Sequence, residues 1–207
     1  MLASAAHSLL ADRAVPGPLE IGGQYPSLAR HGPGVDNEWA MDPDVFLGLG
    51  SNLGDRHAAL DEAVRQLESR GFRTTTRSST WQTEPVGGVP QGWYLNAVVA
   101  GGTELLPEEL LSVCLHVERA MGRVRAERNG PRLIDVDILF FGDELREEPG
   151  LVIPHPRLHE RRFVLEPLFE IAPTLRHPIL GLSVAELRER CTDTSAVRPF
   201  APVEARA

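Results

Sequence analysis

The chain has 207 residues with an apolar fraction of 42%, which suits one domain with a hydrophobic core and, at most, an appended segment. It contains no run of about 18 apolar residues, so neither a transmembrane helix nor a membrane partner is expected. The formal net charge of −8 argues against a general nucleic-acid-binding protein, which would carry a basic face.

All 21 residues counted as Lys or Arg are arginines. The lack of lysine excludes a Walker-A P-loop, the lysine of a protein-kinase nucleotide site and Schiff-base chemistry. Arginine would therefore supply the side-chain cation of any phosphate site. The two cysteines, Cys114 and Cys191, have the spacing of neither a disulfide framework nor a metal site, which fits a reducing, cytoplasmic setting.

Residues 1–42 are rich in Gly, Pro and Ala and show no sustained hydrophobic period. We interpret them as a disordered extension, or as sequence upstream of a natural start near Met41. The alternative is that they fold back onto the domain. The domain itself is expected over residues 43–192, followed by a tail over residues 193–207.

The first predicted strand covers residues 45–49 and enters the run Gly48-Leu-Gly-Ser-Asn-Leu-Gly54. The third glycine comes one place late for a dinucleotide-binding motif, so we interpret these glycines as permitting a tight turn. A helix is predicted from Asp55, a candidate N-cap, to residue 69.

A threonine-rich strand is predicted over residues 72–80 and another over residues 94–103, with a long loop over residues 81–93 between them. Long loops in compact domains are often binding loops. Pro107 begins a second helix that carries an apolar stripe and ends at Gly122.

Residues 123–132 form a basic loop with four arginines and one glutamate in an acidic chain. A basic island of this size indicates a small anionic ligand rather than a polymer. Guanidinium groups are well suited to binding phosphate oxygens, because they donate two parallel hydrogen bonds.

The strand predicted over residues 133–141 carries Asp135 and Asp137 within an otherwise apolar run. Alternation along a strand places Ile134, Val136 and Ile138 on one face and both aspartates on the other, about 7 Å apart. Carboxylate oxygens beside arginines are what a Mg²⁺–polyphosphate complex requires.

A simpler interpretation is that the Asp-x-Asp pair belongs to an ordinary polar strand face. Two features favour a site instead. Like charges on one face of a strand lower sheet stability, which requires a compensating reason for both aspartates. The approach to the strand, Arg128-Asn-Gly-Pro-Arg132, combines a rigid turn with fixed donors.

A return hairpin is predicted over residues 144–152, a second basic loop over residues 154–163, and short helices over residues 165–171 and 183–190. Ser183 and Glu186 form a capping box at the last helix. The order β-α-β-β-α-β predicts an α+β, ferredoxin-like fold: an antiparallel sheet with helices mainly on one face and an open active-site cleft on the other.

Several short motifs occur in the order found in one enzyme family. They are Gly50-Ser-Asn-Leu-Gly, Tyr94-Leu-Asn-Ala-Val, Gly122-Arg-Val-Arg, Arg128-Asn-Gly-Pro-Arg-x-Ile-Asp-x-Asp-Ile-Leu and Val152-Ile-Pro-His-Pro-Arg. Over residues 45–190 the chain resembles the 6-hydroxymethyl-7,8-dihydropterin pyrophosphokinases of folate biosynthesis. Gly92-Trp93 departs from the Pro-polar pair usual in that family.

The resemblance implies transfer of the β,γ-pyrophosphoryl group of ATP to the hydroxymethyl oxygen of the dihydropterin, with release of AMP. Asp135 and Asp137 would hold two Mg²⁺ ions, and both are implied to be catalytic. The other implied catalytic residues are Arg123 and Arg125 of a mobile loop and Arg132 near the reacting phosphates. ATP-binding roles are implied for Glu118, His155 and Arg161.

For the pterin, the resemblance implies a ring held between Tyr94 and Phe163. Asn96 and the loop from Thr83 to Val86 would bind its amide edge. Two aromatic faces and a few fixed polar partners suit a flat heteroaromatic ligand. Each of these residues alone would more simply be a core or turn residue, and only their combination points to a site.

Two rival functions remain open from the sequence. One is another nucleotide-dependent transferase, such as an Asp-x-Asp glycosyltransferase, which would require a larger domain with a parallel sheet. The other is a non-catalytic ferredoxin-like module that binds a ligand or a partner. Such a module has no use for two carboxylates on an arginine-lined face.

Overall fold

The computed structural model describes residues 44–85, 91–122 and 130–201. Its main sheet has the strands β1 (Val45–Ser51), β2 (Phe72–Arg77), β3 (Trp81–Thr83), β4 (Tyr94–Thr103), β5 (Asp135–Phe141) and β8 (Val197–Pro199). A separate hairpin consists of β6 (Arg146–Glu148) and β7 (Leu151–Ile153). The helices are α1 (Arg56–Glu68), α2 (Pro107–Ala120), α3 (Arg162–Ile171) and α4 (Val184–Arg190), with a 3₁₀ turn at Leu158–Glu160.

The main sheet has the order β5-β1-β4-β3-β8, and β2 also pairs with β4. Each of these pairings is antiparallel. The predicted α+β architecture with an antiparallel sheet is therefore confirmed. A parallel nucleotide-binding sheet, which the glycosyltransferase alternative required, is not found among the described strands.

One face of the sheet packs against α1 and α2. Leu47 and Leu49 of β1, Leu60 of α1, Cys114 of α2 and Val136 of β5 belong to this core. Both helices have the predicted ends. Asp55 accepts a hydrogen bond from the backbone N–H of Ala58 at the start of α1, and Gly122 follows α2 with a φ of 87°.

The second face is covered over only part of its area. Helices α3 and α4 pack there on Phe46, Val98 and Phe140, through side chains that include Leu165 and Leu187. Among the described residues, none of the helices combines the length and apolar character needed to cross a membrane.

Three local predictions were wrong. The glycines Gly48 and Gly50 do not make a tight turn but lie inside β1, because β1 continues to Ser51 between two partner strands. The loop predicted over residues 81–93 begins with β3, and the predicted tail contains β8. These two short strands pair with each other, a contact between distant segments that local patterns do not reveal.

We predict that Leu60→Ala lowers the free energy of unfolding by about 2–5 kcal/mol, because it leaves a cavity between α1 and the sheet. Leu60 is fully buried, whereas Leu145 is 56% exposed. The matched change Leu145→Ala should alter stability by less than about 0.5 kcal/mol. Urea denaturation measures both, and equal effects would contradict the burial of Leu60 between α1 and the sheet.

Candidate active site

The cleft on the open part of the second face is built around Asp135 and Asp137. Both line it together with Asn96, and Phe163 stands at its rim where α3 begins. The cleft is partly open to solvent, and both polar and apolar side chains line it. Both aspartates are half-buried, so their carboxylates are neither fully solvated nor enclosed in hydrocarbon.

The register of the sheet places the two carboxylates beside glycines. Asp137 pairs with Gly48 and Asp135 with Gly50 across the β5–β1 ladder. On its other side Gly50 pairs with Asn96 of β4. A side chain at Gly50 would fill the space between these polar groups, since a Cβ there would lie 2.7 Å from Asn96 Oδ1. Gly50 therefore keeps this part of the cleft open.

Arg132 lies just before β5 and pairs with Asp135, the first residue of that strand. Its Nη1 is 2.5 Å from Asp135 Oδ2. Burial lowers the pKa of Arg132, but attraction to Asp135 and a hydrogen bond with Tyr94 outweigh it and leave that pKa above its ordinary value. The guanidinium is thus a permanent cation at the edge of the cleft.

Arg161 approaches the second aspartate from the end of the 3₁₀ turn. Burial lowers its pKa, attraction to Asp137 opposes this, and repulsion from Arg157 adds to the lowering. An arginine nevertheless keeps its charge at neutral pH. Its guanidinium carbon lies 5.6 Å from the centre of the Phe163 ring, so cation and aromatic ring are adjacent.

His155 lies next to β5, and its imidazole is neutral. Its backbone N–H donates to Leu139 O at 3.0 Å, and its Nδ1 accepts from the backbone N–H of Arg157 at 3.2 Å. Burial and, next, the charge of Arg161 lower its pKa to about 4. Because Nδ1 accepts, the single proton of the neutral ring is on Nε2, which can donate to an anion.

Glu118 lies outside the cleft. It is on α2 with only 3% of its surface exposed, and its Oε1 accepts from the backbone N–H of Val136 at 3.0 Å. Val136 is the residue between the two aspartates on the outer strand of the sheet. The carboxylate thus fixes the strand that carries them, while its predicted contact with ATP stays a prediction.

Asn96 forms a polar edge of the cleft, and Thr83 holds its side chain in place. Asn96 Nδ2 donates to Thr83 Oγ1 at 2.7 Å, and both side chains are buried. Tyr94 lies two residues before Asn96 on β4, on the same face by alternation. Its hydroxyl donates to Gln91 Oε1 at 2.9 Å.

Asn52 and Gln91 connect the two sides of the cleft, and sequence reasoning did not identify either. Asn52 Oδ1 accepts from the backbone N–H of Arg132 at 2.7 Å, and its Nδ2 donates to Gln91 Oε1 at 3.0 Å. Through Gln91 this chain of bonds reaches Tyr94. The available sequence signal for Asn52 was its place in the run Gly50-Ser-Asn-Leu-Gly, one of the motifs of the family resemblance.

The structure thus brings most of the described candidates to one cleft. Asp135, Asp137, Asn96 and Phe163 line it, and Arg132, Arg161, His155, Tyr94 and Thr83 lie against these residues. Three further candidates, Val86, Arg123 and Arg125, lie outside the described residues.

Comparison with known proteins identifies the family. A family model described as 7,8-dihydro-6-hydroxymethylpterin-pyrophosphokinase (HPPK) matches residues 46–173, more than half of the chain. The chain belongs to the HPPK family. The resemblance found from the sequence motifs is thereby confirmed.

Curated relatives agree with this assignment. The chain is 50% identical over 132 residues to the 2-amino-4-hydroxy-6-hydroxymethyldihydropteridine pyrophosphokinase of Methylorubrum extorquens, covering 63% of this chain and 84% of that protein. It is 45% identical over 132 residues to the enzyme of the same name from Bacillus subtilis, covering 63% and 79%. With the Synechocystis enzyme of that name it shares 40% identity over 158 residues, covering 76% and 80%.

Solved structures support the fold alone, because their sequence identities are low. A crystal structure of an HPPK-DHPS in complex with substrates has a TM-score of 0.57 at 13% identity, covering 72% of this chain and 43% of that one. The Plasmodium falciparum HPPK-DHPS with pterin and p-hydroxybenzoate also has a TM-score of 0.57, at 18% identity, covering 70% and 42%. The chain therefore spans less than half the length of these proteins.

We predict that Gly50→Ala lowers the free energy of unfolding by about 1–3 kcal/mol, because the new methyl group forces Asn96 away from Thr83. Gly102 of the neighbouring strand provides a control. A Cβ there would meet nothing closer than Asp44 Oδ1 at 3.9 Å, so Gly102→Ala should be neutral or slightly stabilising. Chemical denaturation of both variants tests the close approach at Gly50.

His155 makes stability depend on pH in a defined window. The pKa of His155 is 6.5 in the unfolded chain and about 4 in the folded protein. Between these two pH values the unfolded chain binds the proton and the folded protein does not. The free energy of unfolding should fall as pH decreases through this window. For a partly exposed group we expect a contribution of roughly 1–3 kcal/mol.

His155→Gln provides the comparison, because all other titrating groups remain. Between about pH 7 and about pH 4 the variant should lose less stability than the wild type by that amount. Urea midpoints across the range measure the difference. Parallel pH profiles for the two proteins would mean that His155 is not held neutral by the fold.

Proposed function

We propose that this chain transfers the β,γ-pyrophosphoryl group of ATP to the hydroxymethyl oxygen of 6-hydroxymethyl-7,8-dihydropterin, with release of AMP, as a step of folate biosynthesis. Membership of the HPPK family and the names of the relatives support this reaction. The observation that carries it is the cleft lined by Asp135, Asp137, Asn96 and Phe163, which combines a carboxylate pair with an aromatic side chain for a flat ligand.

The carboxylate pair fits Mg²⁺ that arrives with a nucleotide. Among the described residues, no group of three or more His, Cys, Asp or Glu side chains could hold a metal by itself. Mg²⁺ at nucleotide sites is commonly held by one or two carboxylates, with substrate phosphates and water completing its shell. Asp135 and Asp137 provide that set beside two glycines that leave space for it.

When bound, two Mg²⁺ ions held by Asp135 and Asp137 would neutralise phosphate charge during the transfer. The chain's own cations act on the same charge. Arg132 at the Asp135 end and Arg161 at the Asp137 end flank the cleft. We assign both to the triphosphate, with Arg123 and Arg125 in the same role by family resemblance.

His155 is proposed to donate from Nε2 to a phosphate oxygen without carrying charge, because its pKa is far below neutrality. A neutral donor orients the nucleotide while leaving charge neutralisation to the arginines. Phosphoryl transfer depends mainly on positioning and electrostatic stabilisation, which makes fixed donors of this kind effective.

The pterin is proposed to lie against Phe163, with Tyr94 as the opposing ring. Asn96, oriented by Thr83, provides an amide oxygen and nitrogen for the pterin edge. A buried and fully positioned amide discriminates strongly against ligands that leave it without a partner. Thr83 therefore sets which atoms of Asn96 face the cleft.

Product analysis tests the reaction. Incubation with ATP, Mg²⁺ and 6-hydroxymethyl-7,8-dihydropterin should yield AMP in equal amount to the diphosphorylated pterin, as separated by ion-exchange chromatography. Formation of ADP, or no pterin-dependent nucleotide consumption, would reject the proposal. A non-catalytic binding module would bind the pterin but leave ATP intact.

Asp137→Ala should reduce pyrophosphoryl transfer by at least about 10²-fold, because one of the two metal-binding carboxylates is removed. The free energy of unfolding should change by less than about 1 kcal/mol. Relief of repulsion from Asp135 and loss of attraction to Arg161 act in opposite directions. Steady-state AMP formation and calorimetric titration with Mg²⁺–ATP measure the effect.

Asp143→Ala is the matched control. Asp143 follows the same strand but is exposed and outside the cleft lining. It should retain turnover within about twofold of the wild type, in line with a surface change. Near-normal turnover in the Asp137 variant would end the metal assignment even if the Asp143 variant behaves as expected.

A further inference from the structure

The segment Asp193–Phe200, here called the C-terminal strap, lies along the outer edge of the main sheet. Its strand β8 pairs with β3 in the register Thr83–Val197, Gln82–Arg198 and Trp81–Pro199. The backbone N–H of Glu84 donates to Ala196 O at 2.9 Å, and that of Phe200 donates to Thr80 O at 2.8 Å. The strap therefore fixes the strand from which Thr83 orients Asn96.

The first end of the strap contacts the start of α3. Asp193 Oδ2 accepts from the backbone N–H of Arg162 at 3.0 Å, and its Oδ1 accepts from the N–H of Ser195 at 2.9 Å. Arg162 lies between Arg161 and Phe163 in the chain. The carboxylate of Asp193 thus connects the strap to the start of α3, where Phe163 lines the cleft.

At its other end the strap contacts Trp93, the residue before Tyr94, through Arg198. Its guanidinium carbon lies 4.8 Å from the centre of the Trp93 ring, and its Nε and Nη2 donate to Gln82 Oε1 at 3.2 and 3.0 Å. The backbone carbonyl of Trp93 accepts from Arg56 Nη1 at 2.6 Å. Trp93 directly precedes Tyr94 and belongs to the pair in which this chain departs from the family pattern.

We propose that the C-terminal strap is a positioning element for the dihydropterin, and that Arg198 holds Tyr94 in place through the ring of Trp93. The strap is hydrogen-bonded to Arg162, next to Phe163, and contacts Trp93, next to Tyr94. It therefore sets the separation of the Phe163 and Tyr94 rings. This inference rests on the proposed function, since it needs a flat heteroaromatic ligand between those walls.

The decisive comparison is Arg198→Gln with Arg198→Lys. Glutamine removes the cation above the indole, whereas lysine keeps it. Arg198 is exposed, so neither change creates a cavity. An exposed cation–π contact supports an effect of about three- to fivefold. We expect the Gln variant to raise the KM and Kd of 6-hydroxymethyl-7,8-dihydropterin by that factor, with kcat and the KM of ATP unchanged.

The Lys variant should restore pterin affinity to within about twofold of the wild type, because a lysine ammonium also binds an indole face. Arg190→Gln is the control, since Arg190 is an exposed arginine at the end of α4. It should leave both KM values unchanged. Isothermal titration calorimetry with the dihydropterin and steady-state AMP formation provide the two readouts.

Trp93→Leu tests whether Arg198 acts through the ring. If it does, combining this change with Arg198→Gln should weaken pterin binding no further than Trp93→Leu alone, because both remove one contact. Additive losses would mean that Arg198 affects the ligand by another route and would overturn the proposed mechanism.

The experiments distinguish an incorrect role for the strap from an incorrect proposed reaction. If the wild type forms AMP but Arg198→Gln keeps wild-type pterin affinity, the strap has no positioning role. A lower melting temperature with unchanged KM would show a purely structural role and would also overturn the inference. A wild type that forms no AMP with the dihydropterin would reject the proposed function itself.

Discussion

Strand alternation in β5 is the constraint on which the cleft depends. Val136 and Ile138 enter the core beneath α1 and α2, so Asp135 and Asp137 must face the other way. A register shift of one residue would bury both carboxylates in hydrocarbon and expose the apolar residues, at a prohibitive cost. The same packing that stabilises the domain therefore also fixes the position of its acidic groups.

The charges around the cleft explain why a metal and a polyphosphate would bind together. Arg132 and Arg161 attract an anion, but Asp135 and Asp137 repel it at close range. A divalent cation held by the two carboxylates would remove this repulsion. Under the proposed function the arrangement would favour a metal–nucleotide complex over a free nucleotide, and the neutral His155 would orient a phosphate without changing the charge balance.

Partial cover of the second sheet face decides where a ligand can lie. Helices α3 and α4 bury Phe46, Val98 and Phe140, and their cover ends at Phe163, where the cleft begins. The side of the cleft near Tyr94 is held by contacts from three separate segments. Asn52 and Gln91 contribute hydrogen bonds, and Arg198 contacts the ring of Trp93. The cleft is therefore formed by the strands β1, β4 and β5 and the start of α3, and contacts between distant segments hold these elements together.

The sequence by itself determined the helices, the central strands and the common face of Asp135 and Asp137, because hydrophobic period and capping residues act locally. The family motifs also pointed to most of the described residues that meet at the cleft, but not to Asn52 or Gln91. Only the tertiary structure decided that Gly50 lies inside a strand beside Asn96, that Glu118 fixes the strand edge, and that residues 197–199 pair with β3. Those outcomes depend on contacts between segments far apart in the chain, which no local pattern encodes.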